Sequence, residues 1–258
     1  MHTRNPLPEE AEMWRATAAR DPEADGRFYV AVRTTKVFCR PTCPSRTPLP
    51  RNVEFHATPW EALAAGFRPC RRCWPMGHPN PARASELTIT RFATPLGPMV
   101  AAATEDGIAV VDFADRRAVR TELRDATRRL RATPTVVSAR AAAGHPHLGA
   151  LLDQMTEYFA GRRTAFDLPL IAGGTRFEAS VWAWLQTIPP GQTRTYAQGA
   201  AAVGRPAAIR AIGRANGRNP LAIVVPCHRV IGSDGDLTGY GGGLWRKQAL
   251  LDLEAADA

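Results

Sequence analysis

The segment Ile223-Val224-Val225-Pro226-Cys227-His228-Arg229-Val230 decides how the rest of the chain is interpreted. Its apolar run predicts a strand-like segment directed inward, Pro226 stiffens the backbone, and Cys227 then precedes His228. A thiol is a weak nucleophile until it becomes a thiolate, with a free pKa of about 8.5. A neighbouring imidazole or cation is the usual activator. An isolated Cys-His pair is equally compatible with a buried structural cysteine, so the flanking sequence must decide.

The cysteine count separates the chain into two chemistries. Among 258 residues there are five cysteines, and four of them cluster at Cys39, Cys43, Cys70 and Cys73, far from Cys227. Residues 1–12 do not have the pattern of a signal peptide, and no apolar run approaches the roughly 20 residues of a membrane span. We therefore expect an intracellular protein with a metal site and a reactive thiol rather than disulfides. The net charge of +9 is compatible with a polyanionic partner.

The four clustered cysteines predict a zinc site within a first unit, residues 1–80. A C-x3-C knuckle at Cys39 and Cys43 and a C-x2-C knuckle at Cys70 and Cys73 are separated by 26 residues. This arrangement fits a tetrahedral ion with thiolates at about 2.3 Å. So small a unit with few large apolar residues needs such a staple. An iron–sulfur cluster is the rival interpretation, and a zinc ion that only stabilises the fold is the simpler one.

The remaining chain predicts a linker and two further units, which makes the fold class α+β. After a linker at residues 81–86, residues 87–172 predict a small β-meander with helices and without a catalytic constellation. Residues 173–258 predict a mostly helical unit. Within it, helices over Tyr196–Val203 and Ala207–Ala215 form a helix-turn-helix around Gly204.

The second of these helices carries a row of arginines. Arg210, Arg214 and Arg218 recur every four residues, while Ile209 and Ile212 are expected to point toward a core. A smooth helix with such a row suits contact with a phosphate backbone. A solvated basic face is the alternative.

The helical unit resembles the O6-alkylguanine-DNA alkyltransferases. The active-site motif of that family is matched by Pro226-Cys227-His228-Arg229-Val230. The resemblance extends to Gly174-Thr175-x-Phe177, Val181-Trp182, Ile188-Pro189-x-Gly191, Thr195-Tyr196, Arg210-Ala211-Ile212-Gly213-x-Ala215-Asn216, Asn219-Pro220, Gly239-Tyr240 and Leu250-Leu251-x-x-Glu254. The second unit is similar to that family's N-terminal subdomain through Thr94-Pro95-Leu96-Gly97-Pro98.

This resemblance implies roles for four residues in catalysis. Cys227 accepts the alkyl group irreversibly, so each molecule acts once. His228 activates the thiol through a bridging water, and Glu254 orients the imidazole. Asn219 braces the segment before the nucleophile. The resemblance also implies that S-adenosylmethionine is not needed.

The resemblance further implies how DNA is bound. The target nucleotide is flipped out of the duplex. Arg210 enters the stack from the minor groove, and Tyr196 helps to rotate the nucleotide. Val230, Tyr240 and Gly241 are expected to form the guanine pocket. The family often has serine where Gly241 stands.

The first unit resembles the zinc domain of bacterial Ada proteins. The matching runs are Asp21-Pro22-x-Ala24-Asp25-Gly26, Ala31-Val32-Arg33-Thr34-Thr35, Phe38-Cys39-Arg40-Pro41-x-Cys43 and Ala62-Leu63-Ala64-Ala65-Gly66-Phe67-Arg68-Pro69-Cys70. The resemblance implies that Cys39 takes a methyl group from a methyl phosphotriester, with Arg46 and Arg68 on phosphates. Ada-like proteins usually have an AraC-type DNA-binding module between these parts, and here a short linker takes its place.

The sequence therefore predicts a monomeric, cytoplasmic protein that repairs double-stranded DNA by direct reversal. The principal alternative is a methylation-sensing transcriptional regulator, which requires sequence-specific binding. A damage-binding protein that does not transfer the alkyl group is disfavoured by Cys227, and a thiol hydrolase has no indicated oxyanion site.

Overall fold

The structure is a computed structural model that describes residues 7–76, 86–171 and 173–255. The predicted linker at 81–86 lies outside the described residues except for Glu86, and so do residues 1–6 and 77–80 of the predicted first unit. Among the described residues, no helix is long and apolar enough to cross a membrane. The three described ranges are named below the cysteine unit, the meander unit and the helical unit.

The cysteine unit is a helix followed by a four-stranded sheet with a second short helix. Its elements are α1 (Glu10–Ala19), β1 (Tyr29–Val32), β2 (Val37–Cys39), β3 (Val53–His56), α2 (Pro59–Ala64) and β4 (Arg68–Pro69). The strand order is β3-β1-β2-β4. The Thr58 hydroxyl accepts a hydrogen bond from the Glu61 amide and so caps α2, with Pro59 at its first position. The sheet ends β2 at Cys39 and places Cys70 directly after β4.

The meander unit contains the predicted antiparallel strands and one strand that sequence reasoning missed. Its elements are β5 (Glu86–Phe92), β6 (Met99–Thr104), β7 (Gly107–Phe113), α3 (Val119–Leu130), β8 (Thr133–Val137), α4 (Ala139–Ala142) and α5 (Pro146–Phe159). The order is β7-β6-β5-β8, with β8 parallel to β5. Pro134 and the 80% exposed Val136 hide β8 from a search for alternating apolar residues, because it is an edge strand.

The helical unit contains the predicted helix-turn-helix. Its elements are α6 (Arg176–Leu185), β9 (Arg194–Thr195), α7 (Tyr196–Ala202), α8 (Ile209–Gly217), β10 (Val230–Ile231) and α9 (Leu244–Ala255). Thr175 with Glu178 forms a capping box that begins α6, and Thr195 with Gln198 forms another that begins α7. Ile212 is fully buried as predicted. Ile209 is 45% exposed, so its predicted inward orientation is wrong. The reason is that α8 begins at Ile209, at its exposed end.

The cysteine unit packs directly on the helical unit. Helix α2 lies against α6, where the rings of Trp60 and Trp182 meet edge to face with centroids 5.7 Å apart. Trp60 is fully buried, and Trp182 is 2% exposed. A second contact joins the cysteine unit to the meander unit, since Arg40 forms an ion pair with Asp106 at 2.7 Å. The described units therefore share one continuous core.

Replacement of Trp60 by alanine is expected to lower the free energy of unfolding by about 3–5 kcal/mol, because a large buried ring leaves a cavity between α2 and α6. Urea denaturation followed by circular dichroism measures the change. The control is Leu49→Ala, whose side chain is 51% exposed and whose loss is expected to cost less than about 0.5 kcal/mol. Equal stability of the two variants would contradict the packing of the units.

Candidate active site and metal centre

The segment before Cys227 is a series of tight turns, so the predicted strand-like conformation is wrong. Ile223 adopts a φ of 72°, a conformation that a β-branched residue rarely takes. The Cys227 amide donates to the Val225 carbonyl at 2.8 Å, and residues 227–229 form a single 3-10 turn. Strand pairing resumes only at Val230. These turns hold Cys227 in place with its side chain almost buried, at 7% exposure.

Two buried asparagines hold this turn in shape. The Asn219 side-chain amide donates to the carbonyl of Val225 at 2.8 Å, and its oxygen accepts from the Leu221 amide at 3.1 Å. The Asn216 amide donates to the Cys227 carbonyl at 3.2 Å. Sequence reasoning assigned the bracing role to Asn219 and missed Asn216, although Asn216 stands in one of the motifs.

Behind the nucleophile lies a buried network around Glu254. His228 Nε2 lies 2.9 Å from Glu254 Oε1, and Arg229 makes two hydrogen bonds of 2.7 Å to the same carboxylate. The Tyr158 hydroxyl adds a third donor at 2.8 Å. Burial alone would raise the pKa of Glu254, but His228 and Arg229 outweigh it and hold that pKa well below its usual range. Glu254 is therefore an anion fixed beside the imidazole, as the sequence predicts.

The two groups next to the reacting centre are uncharged at rest. Burial lowers the pKa of His228, and Glu254 only partly offsets this, so the imidazole is neutral near pH 7. Burial raises the pKa of the Cys227 thiol against opposing effects from Asn219 and Arg116. Transfer of the thiol proton to a base is therefore a required step.

Some of the predicted pocket residues lie around Cys227, and others lie elsewhere. Tyr240 and Gly241 line the same small cavity as Cys227 and Asn219. Val230 is outside that wall, and its carbonyl accepts a hydrogen bond from Lys247 Nζ at 2.5 Å. Sequence reasoning did not identify this fully buried lysine.

The predicted DNA-contacting residues lie on the helix-turn-helix. Tyr196 begins α7, and its hydroxyl donates to the Thr238 carbonyl at 3.2 Å. Arg210 and Arg214 are exposed on α8. Trp182 fixes this helix on α6 through a hydrogen bond from its indole nitrogen to the Ala215 carbonyl at 2.9 Å. Arg218 leaves the predicted row, because it pairs with Glu178 at 3.0 Å.

The four clustered cysteines come together as predicted. Their Sγ atoms all lie within 4.8 Å of one another, and those of Cys43 and Cys70 are 4.0 Å apart. A tetrahedron with zinc–sulfur bonds of about 2.3 Å has sulfur–sulfur edges of about 3.8 Å. Backbone amides of Arg40 and Arg72 donate to Cys73 and Cys70 at 3.4 and 3.3 Å, which is suited to thiolate sulfur. The donor set fits a closed zinc site.

A groove runs beside this cluster. Cys39, Arg46 and Arg68 line it together. Both arginines are exposed, and Cys39 is half-buried whereas Cys43 and Cys70 are buried. The predicted acceptor thiol is thus the more accessible of the three cysteines in the groove.

Three family models match separate parts of the chain. Residues 12–76 match the metal-binding domain of Ada, residues 87–172 the ribonuclease-like domain of 6-O-methylguanine DNA methyltransferase, and residues 176–256 the DNA-binding domain of the same protein.

Known proteins are similar over the whole chain or over its C-terminal part. The bifunctional transcriptional activator/DNA repair enzyme Ada of Escherichia coli K12 is 31% identical over 95% of this chain and 96% of its own length. That alignment extends over 339 positions, more than this chain contains, so the relative has residues without a counterpart here. The methylated-DNA--protein-cysteine methyltransferase of Mycobacterium tuberculosis H37Rv is 57% identical over 107 residues, which is 42% of this chain and 65% of the relative.

A solved structure is similar as well. The crystal structure of Mycobacterium tuberculosis OGT in complex with DNA superposes with a TM-score of 0.55 at 40% identity, over 66% of this chain and 94% of that one.

The purified protein is expected to contain one zinc ion per chain, measured by inductively coupled plasma mass spectrometry. Cys70→Ser should lower the zinc content well below one, because it removes a buried ligand. Cys227→Ser serves as the control and should retain one ion. Iron in place of zinc, or full zinc content in Cys70→Ser, would contradict the assignment.

Replacement of Glu254 by glutamine is expected to lower the free energy of unfolding by about 3–5 kcal/mol at pH 7, because it leaves Arg229 unpaired in the interior. The depressed pKa of Glu254 contributes stability above about pH 4.5, and this contribution disappears as the pH falls below that value. The difference between the proteins should therefore shrink between pH 5 and pH 3 in urea titrations. Glu157→Gln, at an exposed ion pair, is the control, expected to cost less than about 1 kcal/mol.

Proposed function

The chain belongs to the family of Ada proteins and methylated-DNA--protein-cysteine methyltransferases, and from that premise we propose the reaction of each nucleophile. Cys227 accepts the alkyl group from O6-alkylguanine in double-stranded DNA. Cys39 accepts the methyl group of a methyl phosphotriester. Both thioethers are stable products, so each acceptor acts once.

The contact between His228 and Glu254 supports this proposal most strongly. An ionised carboxylate can only accept a hydrogen bond, so it fixes the proton of the neutral imidazole on Nε2. Nδ1 then keeps its lone pair as the basic nitrogen, and it has no hydrogen-bond partner among the described protein groups. A base is thus oriented next in sequence to a buried thiol that needs one.

The O6 reaction is a displacement in which the thiol proton moves first. It passes from Cys227 through a bridging water to His228 Nδ1, and Glu254 stabilises the resulting imidazolium. The thiolate sulfur then forms a bond to the alkyl carbon as the bond from that carbon to O6 breaks. The electron pair stays on the guanine, which takes up one proton, with Tyr196 as the donor toward the base. Asn219 holds the nucleophile turn throughout.

The lesion must leave the duplex to reach a buried thiol. Flipping a nucleotide costs a few kcal/mol. Arg210, exposed on α8, fills the gap from the minor groove while Arg214 contacts the phosphate backbone. The extruded base enters the cavity beside Tyr240 and Gly241, with the Val230 backbone at its far side.

The phosphotriester reaction uses the groove of the cysteine unit. A bound zinc ion keeps its thiolate ligands deprotonated and still nucleophilic. Cys39 is accessible from the groove, and Arg46 and Arg68 hold the flanking phosphates. Methylation of Cys39 removes one negative charge from the site, which eases binding to DNA.

The protein acts as a monomer in the bacterial cytosol, where its DNA substrate is. The alternative, a methylation-sensing regulator, requires a preferred DNA sequence. Helix α8 carries the minor-groove arginine, and the minor groove distinguishes few sequences. Binding that ignores sequence and weakens steeply with salt is therefore expected. A footprint on a single promoter sequence would favour the regulator.

Variants of the two acceptors should separate the two activities. Cys227→Ala is expected to abolish methyl loss from a duplex with one O6-methylguanine and to retain transfer from a methyl phosphotriester duplex. Cys39→His, which keeps a zinc ligand but removes the thiol, should show the reverse. Both transfers are measured by chromatography of the digested DNA, after zinc content has shown that each variant is folded.

Cys227→Ala that still removes the O6-methyl group would refute the first assignment. Cys39→His that still accepts a phosphotriester methyl group would refute the second and leave zinc with a structural role.

A further inference from the structure

A charged cluster that the proposed mechanism does not use lies beside the active-site cavity. Arg116 follows β7, and its side chain is only 11% exposed. Its Nη1 forms ion pairs with Asp112 at 2.6 Å and with Glu122 at 3.2 Å. Asp112 is 1% exposed at the end of β7, and Glu122 lies on α3. The guanidinium is therefore anchored within the meander unit.

The same guanidinium also binds the helical unit. Its Nη2 donates to the Gly217 carbonyl at 2.5 Å, and its Nη1 lies 3.4 Å from the Asn219 carbonyl. Asn219 is the residue that braces the nucleophile turn. Arg116 thus connects the meander unit to the backbone that leads to Cys227, and its position is fixed from both sides.

Arg116 also determines which residue can stand at position 241. A Cβ atom added to Gly241 would lie 2.4 Å from Arg116 Nε and 2.9 Å from its Cζ. Gly241 does not have a positive φ, so lack of space rather than backbone conformation requires glycine here. Because four groups hold the guanidinium, it cannot move aside freely. The serine that the alkyltransferase family often has at this position would not fit.

The cluster faces the nucleophile across one cavity. Asp112, Arg116 and Gly241 line the cavity that Cys227 lines. The charged and titratable groups around the thiol come from several elements: Asp112, Arg116, Tyr196, His228, Tyr240 and Lys247. Arg116 favours the thiolate more strongly than Asp112 opposes it in its effect on the Cys227 pKa. Burial and the proximity of Asp112 raise the pKa of Glu122 to about 8, so the two acids share a proton near neutral pH.

We propose that Arg116 is a positioning residue for the alkyl transfer, which packs against Gly241 to form one wall of the guanine pocket and places a fixed positive charge beside Cys227. This inference rests on the proposed O6-alkylguanine reaction. Asp112 and Glu122 hold the guanidinium in place. The stringency at Gly241 follows from Arg116 and not from the loop itself.

The charge is tested by the reactivity of Cys227 toward iodoacetamide between pH 6 and pH 10, read by mass spectrometry of the peptide that contains it. Arg116→Met should move the midpoint of this profile upward by about 1 pH unit, as expected for loss of a nearby opposite charge. Arg116→Lys should fall between Arg116→Met and the unaltered protein. The control Arg117→Met, at an exposed neighbouring arginine, should leave the midpoint unchanged.

The wall is tested by combining substitutions at positions 116 and 241. Gly241→Ala alone should displace the guanidinium, raise the midpoint and slow transfer from an O6-methylguanine duplex about tenfold. In the Arg116→Met background, where the space is free, Gly241→Ala should have little further effect. This double substitution also keeps the test informative if one single variant folds poorly.

An unchanged midpoint in folded Arg116→Met, or equal effects of Gly241→Ala in both backgrounds, would overturn the proposal. The iodoacetamide profile needs no DNA. If the unaltered protein failed to demethylate O6-methylguanine, the proposed function would fall while the profile still reported whether Arg116 controls the thiol.

Discussion

The carboxylate of Glu254 is the group on which the active site depends. It accepts two hydrogen bonds of 2.7 Å from Arg229 and one contact of 2.9 Å from His228, all within the protein interior. Because α9 supplies Glu254 and the nucleophile turn supplies both partners, this network ties the last helix to Cys227. An uncompensated charge here would be costly, so the network holds the turn and the imidazole in one arrangement.

The two thiols are prepared for reaction in opposite ways. Cys227 is buried, protonated at rest and dependent on a base, whereas the thiolates of the cysteine cluster are suited to being held deprotonated by a metal. Burial protects the first nucleophile until a base is delivered into the cavity. The half-buried Cys39 lies open to a groove, as an acceptor for the DNA backbone must. Trp60 and Trp182 join the units that carry these two chemistries.

Sequence motifs predicted the contacts that side chains make with one another. The cysteine knuckles, the His228–Glu254 pair and the bracing role of Asn219 follow from residue type and spacing. The missed features depend on the backbone or on distant segments. Ile223 has a positive φ that its β-branched side chain disfavours, and β8 pairs at an edge with little apolar pattern. Arg116 binds carbonyl groups of Gly217 and Asn219, which every sequence provides and which therefore leave no signal.

That this chain has two single-use acceptors is tested most directly by peptide mapping. The unaltered zinc protein is incubated with excess duplex that carries both lesions, digested and analysed by tandem mass spectrometry. One methyl group on Cys227 and one on Cys39, with no more than one O6-methyl group removed per chain, is the predicted result. Removal of several O6-methyl groups per chain, or methylation that leaves Cys227 free, would contradict it.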